Sequence, residues 1–208
     1  MDMAYIIILE GLLFIVLFGG LSWFRREGLS IQFAMEAITI TVIFGLSALL
    51  LSLPVDPIVF LIVIYLITMR CRLLVDIGNY FGVRKNYIAA DKSYRLAEVL
   101  FPDQANRLII AVNQGTSMVL RGDLDGAIDK LKGVLSQAKE GYLGLKYESA
   151  AHYNLGVVYL KKKLEGMAVV EFNAVLDTWP ASEYGRRAQN ALKRIKKGGS
   201  EQTDNPVQ

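Results

Sequence analysis

Histidine and cysteine are nearly missing from this chain, and that narrows its chemistry before any motif is sought. One cysteine in 208 residues, Cys71, excludes an intrachain disulfide and every multi-cysteine metal centre. One histidine, His152, leaves no pair for zinc and little for histidine base catalysis. Neither sign of charge prevails: 23 lysines and arginines face 20 acidic residues, a net charge of +3, without the concentrated basic face that nucleic-acid binding shows. No phosphate loop, nucleophile motif or metal cluster occurs. The expectation is therefore a non-enzymatic protein, with no catalytic or metal site, no cofactor, no small-molecule substrate and no nucleic-acid partner. What is plentiful is apolar side chain, at 53% of residues. The mean hydropathy of +0.34 is high for a soluble protein. Nearly all of the excess precedes residue 70, so a membrane part followed by an aqueous part is expected.

Residues 4–23 form a twenty-residue run broken only by Glu10, long enough to cross ~30 Å of hydrocarbon as a helix. A signal peptide is the competing reading, but the start is Met-Asp-Met rather than basic and no small-x-small site follows, which favours a retained helix. The second run, 31–53, carries Glu36 and stops at Leu53-Pro54-Val55-Asp56-Pro57, where the prolines force a tight connection. The third, 57–70, is short: residues 57–69 cover only ~20 Å. Arg70 and Arg72 can snorkel and extend it. Three spans place Arg25, Arg26, Arg70, Arg72, Arg84 and Lys85 on one side and Asp2 and Asp56 on the other, as the positive-inside rule asks. Two spans would separate the arginine pairs. The expectation is a multi-pass cell-membrane protein of three transmembrane helices within residues 1–70, N-terminus outside. Glu10 and Glu36 are the carboxylates within these runs: intramembrane functional sites on one reading, interfacial residues on the other. Gly19-Gly20 invites a close helix contact.

A period follows. From Gly78, Ala90 stands at +12, Tyr94 at +16, Ala97 at +19 and Pro102 at +24. From Gly115, Ala127, Leu131 and Val134 stand at the same offsets, with Lys139 where the proline would be. From Gly156 come Ala168, Phe172, Val175 and Pro180. The spacing predicts three helical hairpins, with Gly78 and Ala90, Gly115 and Ala127, and Gly156 and Ala168 meeting across each. The larger residues Tyr94, Leu131 and Phe172 would fill the space between hairpins. No glycine or proline interrupts the chain after Pro57 through Ile77, so one unbroken helix is expected from Pro57 to about Gly82, mounting the first repeat rigidly on the membrane.

Asn154-Leu155-Gly156-Val157-Val158-Tyr159 with Ala168, Phe172 and Pro180 resembles the tetratricopeptide repeat family. Ile77-Gly78 with Phe81, and more distantly Gln114-Gly115 with Met118, take the corresponding places. Repeat spacings of 37 and 41 residues, read from Gly78, Gly115 and Gly156, exceed the family period of about 34. The extra residues fall near 103–106 and 136–144. With the apolar runs read as transmembrane helices at about 4–23, 31–53 and 57–70, the resemblance implies an all-α fold that continues as a TPR-type α-solenoid over 71–197. Its hairpins would be about 71–102, 108–138 and 149–180. A capping helix at about 181–197 carries Tyr184, Ala188, Ala191, Leu192 and Ile195 on one face, covers the last repeat, and stops at Gly198-Gly199. Residues 198–208 form a polar, disordered tail.

The family's groove positions, carried over, are Arg72, Val75 and Asn79; Ile109, Val112, Thr116 and Val119; and Ala150, Tyr153, Asn154, Val157 and Leu160. Val75, Val112 and Tyr153 replace the lysine that carboxylate-clamp members need. The groove chosen as the binding site (Asn79, Ile109, Val112, Thr116, Val119, Tyr153, Asn154, Val157, Leu160) is apolar and suits an amphipathic helix or an extended apolar peptide. The expected function is a membrane-anchored scaffold that binds or assembles protein partners at the cytoplasmic surface. The alternative is a small structural subunit of an intramembrane transporter or energy-converting complex, with Glu10 and Glu36 as the working part. His152 reads as a packing residue, Cys71 as a small interfacial one, Asp123 and Asp125 as helix caps, and Lys161-Lys162-Lys163 as a solvated turn.

Overall fold

A computed structural model describes residues 3–27, 30–51, 53–138 and 143–203. Among them the secondary structure is entirely helical: α1 (Met3–Phe24), α2 (Ile31–Leu50), α3 (Pro57–Thr68), α4 (Arg70–Val83), α5 (Tyr87–Val99), α6 (Gln104–Arg121), α7 (Leu124–Ala138), α8 (Leu145–Lys161), α9 (Glu165–Thr178) and α10 (Glu183–Thr203). The chain divides into two compact units, Met1–Ile110 and Ala111–Gln208. The expected domain boundary at residue 70 thus lies inside the first unit. The apolar helices and the first hairpin are one body, joined by side-chain bonds described below.

In the first unit α1, α2 and α3 pack on one another. Their shared core is Ile7, Phe14, Ala37, Ile40, Phe60 and Ile64. Small residues set the approach of α1 to α2. A Cβ on Gly11 would collide with the Thr41 side chain, and one on Gly45 would lie 3.2 Å from Ile8. The outer faces stay apolar. Only 22% of the most apolar window of α1 and 17% of that of α2 is buried, so these helices expose hydrocarbon along most of their length. Both are long and apolar enough to cross a membrane. Caps mark their limits: Ser30 Oγ accepts from Phe33 N at 3.1 Å, and Asp56 Oδ1 accepts from Ile58 N at 2.8 Å ahead of α3, with Pro57 at its first turn.

The unbroken helix expected from Pro57 to Gly82 is not formed. α3 ends after 12 residues, about 18 Å, and α4 leaves it at Met69 with a bend of 72°. The break needs neither glycine nor proline, because a side chain enters the ladder. Arg70 Nη1 donates at 2.7 Å to the carbonyl of Ile67, the group that would accept from Cys71 N–H in a continuous helix.

Three hairpins follow, α4–α5, α6–α7 and α8–α9, and their turns are the same. The residue seven positions after each repeat glycine is left-handed: Lys85 (φ 62°), Gly122 (φ 87°) and Lys163 (φ 60°). The next amide reaches back five residues, Asn86 N to Phe81 O, Asp123 N to Met118 O and Leu164 N to Tyr159 O, at 3.0, 3.0 and 2.8 Å. The left-handed residue donates in turn to Gly82, Val119 and Leu160 carbonyls. This is a Schellman stop, and glycine occupies its left-handed position only once.

The repeat glycines work differently from expectation. A Cβ on Gly115 would lie 2.7 Å from Leu131 Cδ2, one on Gly156 would lie 2.6 Å from Phe172 Cε1, and one on Gly78 would overlap the Tyr94 ring. The partner is the large residue at +16 of the same hairpin rather than the alanine at +12. With the turn centred between +7 and +8, the position level with the glycine on the returning helix is +15 or +16; +12 is a turn too near the bend. Ala90, Ala97, Ala127, Val134, Ala168 and Val175 are buried beside these contacts.

In the second unit α7 packs on α8, and α10 on both α8 and α9. Ala188 of α10 is fully buried. α10 is helical through Gly198 and Gly199 to Thr203, so the expected stop at those glycines is not observed. Of the proposed tail, 204–208 lies outside the described residues, as do Asp2 and Lys139.

Candidate functional site

Seven of the nine expected groove residues belong to the second unit; Asn79 and Ile109 belong to the first. Ile109, Val112 and Val119 are 0%, 2% and 3% exposed, so these α6 side chains are core. They offer no contact surface, a correction to their expected role. A carried-over position specifies which helix face a residue takes, but not how deeply its neighbours cover it. Asn79 is half-buried and accepts from Tyr94 Oη at 2.8 Å. Burial pushes the Tyr94 phenol up to about 12.

Of the remaining members, Thr116 and Asn154 are bonded to each other. Asn154 is buried and its Nδ2 donates to Thr116 Oγ1 and to the Ala150 carbonyl, both at 2.9 Å. Thr116 Oγ1 donates to Val112 O at 2.9 Å. Tyr153 stands between two rings, 5.7 Å from Phe172 and 5.6 Å from Tyr184. Val157 and Leu160 continue from it along α8, half-buried. Of the expected groove residues on this unit, Thr116, Tyr153, Val157 and Leu160 are half-buried rather than core.

A second site lies in the first unit, where residues flagged separately in the sequence meet. A cavity of about 340 Å³ opens between the ends of α1 and α2, the bend at Met69 and the start of α6. Two arginine–glutamate pairs wall it. Arg70 forks onto Glu36, Nη1 to Oε2 at 2.6 Å and Nη2 to Oε1 at 2.8 Å, while Gln32 Nε2 donates to the same carboxylate at 3.0 Å. Arg72 Nη2 donates to Glu27 Oε2 at 2.6 Å and its Nε to Asn106 Oδ1 at 3.1 Å; Glu27 is only 5% exposed. The fork geometry is particular to arginine. Backbone oxygens complete it: Arg70 Nε donates to Leu100 O at 2.9 Å and Gln32 Nε2 to Phe101 O at 2.7 Å. The C-terminal end of α5 is thereby tied to the first turn of α2 and to the start of α4.

Glu36 is therefore a bonded carboxylate rather than an open proton or ion site. Glu27, Gln32 and Asn106 were not singled out from sequence. The signal was present, since three antiparallel runs put residues 25–36 and 70–72 at the same end, and acids there face arginines. Glu10 differs: its Oε2 is buried and has no hydrogen-bond partner. His152 Nδ1 lies 2.7 Å from Glu171 Oε2, bracing α8 against α9. Cys71 is 4% exposed, with its thiol facing the Ala97 and Leu100 carbonyls. Asp123 caps α7 through Gly126 N at 3.1 Å, as expected, whereas Asp125 pairs with Lys162. Among the described residues, histidine, cysteine and carboxylates do not gather into a group that holds a metal. No protein-family model and no curated protein sequence matches the chain.

Proposed function

We propose that the chain is a membrane-anchored scaffold of the tetratricopeptide-repeat type, which recruits protein partners at the cytoplasmic surface. The observation that supports it best is the threefold recurrence of one hairpin, with the same Schellman turn and the same glycine-to-large-residue contact at offsets +7 and +16. Hairpins of this kind leave apolar faces that only stacking buries, and stacking them builds a solenoid with a concave side. In this reading α1 and α2 cross the bilayer, and α3, extended at its end by Arg70 and Arg72, makes the third pass. The N-terminus is then outside and the arginine-rich end cytoplasmic. The partner is an amphipathic helix or an extended apolar peptide laid on the face of Thr116, Tyr153, Val157 and Leu160.

Capture of partners by the tagged full chain from detergent-solubilised membranes tests this, comparing wild type with Val157→Glu and Leu160→Glu. Both side chains are half-buried, so far-UV circular dichroism accompanies each variant. A partner lost with both variants while helicity is kept supports the groove; capture that survives both overturns it. Val112 is unsuitable, since a charge at that buried position tests folding instead. The second reading, a structural subunit of an intramembrane complex, is favoured by one observation, the unpartnered Glu10 Oε2. Glu10→Gln should leave a scaffold unaffected and impair such a complex.

A further inference from the structure

The outer face of α5 is apolar where a solvated helix would be polar. Opposite its buried side of Ala90, Tyr94 and Ala97 runs the stripe Ile88, Lys92, Leu96, Val99, at i, i+4, i+8 and i+11. Ile88, Leu96 and Val99 are 73%, 50% and 69% exposed. Phe101, just past the helix, is 80% exposed and held in a left-handed conformation at φ 52°. That conformation is costly for a bulky residue. It is sustained by Gln32 and Arg70, which both donate to the Phe101 carbonyl, at 2.7 and 3.3 Å. The side chain is thus fixed outward at the level of the first turn of α2. Trp23 and Phe24, 70% and 81% exposed, end α1 a short loop before that same turn, with Arg25 and Arg26 following. Trp23, exposed beside Arg25 and Arg26 at the end of an apolar helix, is the residue type that marks a membrane–water interface.

The bend at Met69 turns the hairpin in the required direction. A helix leaving α3 at 72° runs close to the bilayer plane when α3 stands near the normal, and α5 packs back along it. Lys92, exposed within the stripe, can reach headgroup phosphates while its stem lies among apolar neighbours, and exposed Arg95 beside the stripe is paired with Asp91 at 3.0 Å. Exposed Glu98 is set about 100° around the helix from Val99. We infer that α5 and Phe101 form an interfacial helix, whose outer stripe lies in the headgroup–acyl boundary and seats the first hairpin on an anionic lipid surface. This rests on the reading that α1 and α2 cross the membrane.

Spin labels separate the two ideas. The full chain carrying Cys71→Ala is given one cysteine at a time by Val99→Cys, Phe101→Cys, Leu12→Cys or Asp129→Cys. Each variant is labelled and reconstituted into phosphatidylcholine–phosphatidylglycerol vesicles. Accessibility to oxygen against a water-soluble nickel complex reports depth. Labels at 99 and 101 are expected to shift to the lipid side of the exposed α7 label at 129, toward the α1 label at 12. Labels at 99 and 101 as aqueous as 129, with 12 still deep, overturn the interfacial helix and leave the spans intact. An aqueous label at 12 removes the spanning reading and this proposal with it.

Discussion

Adding one methyl group at Gly156 should destabilise the second unit, while the same addition at Gly133 should stabilise it. A Cβ at 156 would sit 2.6, 2.8 and 2.9 Å from three ring carbons of Phe172, against a comfortable separation of about 3.5–4.0 Å. The ring is fully buried and packed against Tyr153, so relief requires α8 and α9 to part. Overpacking of this kind costs about 1–3 kcal/mol. Glycine-to-alanine in a helix interior returns roughly 0.5–1 kcal/mol through backbone entropy. Gly156→Ala should therefore lose up to about 2.5 kcal/mol net, and about 1 kcal/mol at mid-range. At Gly133, inside α7, nothing lies within 4 Å of the new methyl, so Gly133→Ala should gain about 0.5–1 kcal/mol. Denaturant unfolding of the full chain in detergent reads this through Trp179, with Trp23→Phe removing the other tryptophan. Pairing Gly156→Ala with Phe172→Leu should recover part of the loss, a non-additivity expected only of residues in contact. A Gly156→Ala variant as stable as Gly133→Ala would refute the contact as the reason for glycine.

The Glu36–Arg70 pair should contribute between the values of exposed and buried bridges, about 1–3 kcal/mol, since its side chains are 23–26% exposed. A double-mutant cycle of Glu36→Gln and Arg70→Lys by thermal unfolding measures the coupling, and a value under about 0.5 kcal/mol would contradict the bidentate bracket. Tyr94 adds a pH dependence. Its folded value of about 12 lies above the ordinary value of 10 because burial disfavours the phenolate, so its contribution is full below pH 10 and is lost as pH rises through 12. The loss amounts to roughly 2–3 kcal/mol. Urea unfolding over that window should show wild type converging on Tyr94→Phe; parallel curves would mean that the phenol does not titrate against folding.

Legible in one dimension were the features that local chemistry writes residue by residue. Long apolar runs give helices whatever surrounds them, and α1 and α2 form where those runs lie, between caps such as Ser30 and Asp56. Glycine, alanine and a large residue at fixed offsets give hairpins, because every turn of helix brings the same face round again. The placing of Asp123 as a cap needed only its neighbours. Depth and pairing were not legible, because both depend on residues distant in the chain. Val112 and Val119 occupy the groove register yet are core. The level partner of each glycine is set by where the left-handed turn residue falls, and lysine hides that position in two of the three hairpins. The helix break at Met69 carries no glycine or proline, and exists because Arg70 finds the Ile67 carbonyl, Glu36 and Leu100 all within reach. Residues 27, 36, 70 and 72 become one bracket only once three antiparallel helices carry their ends together.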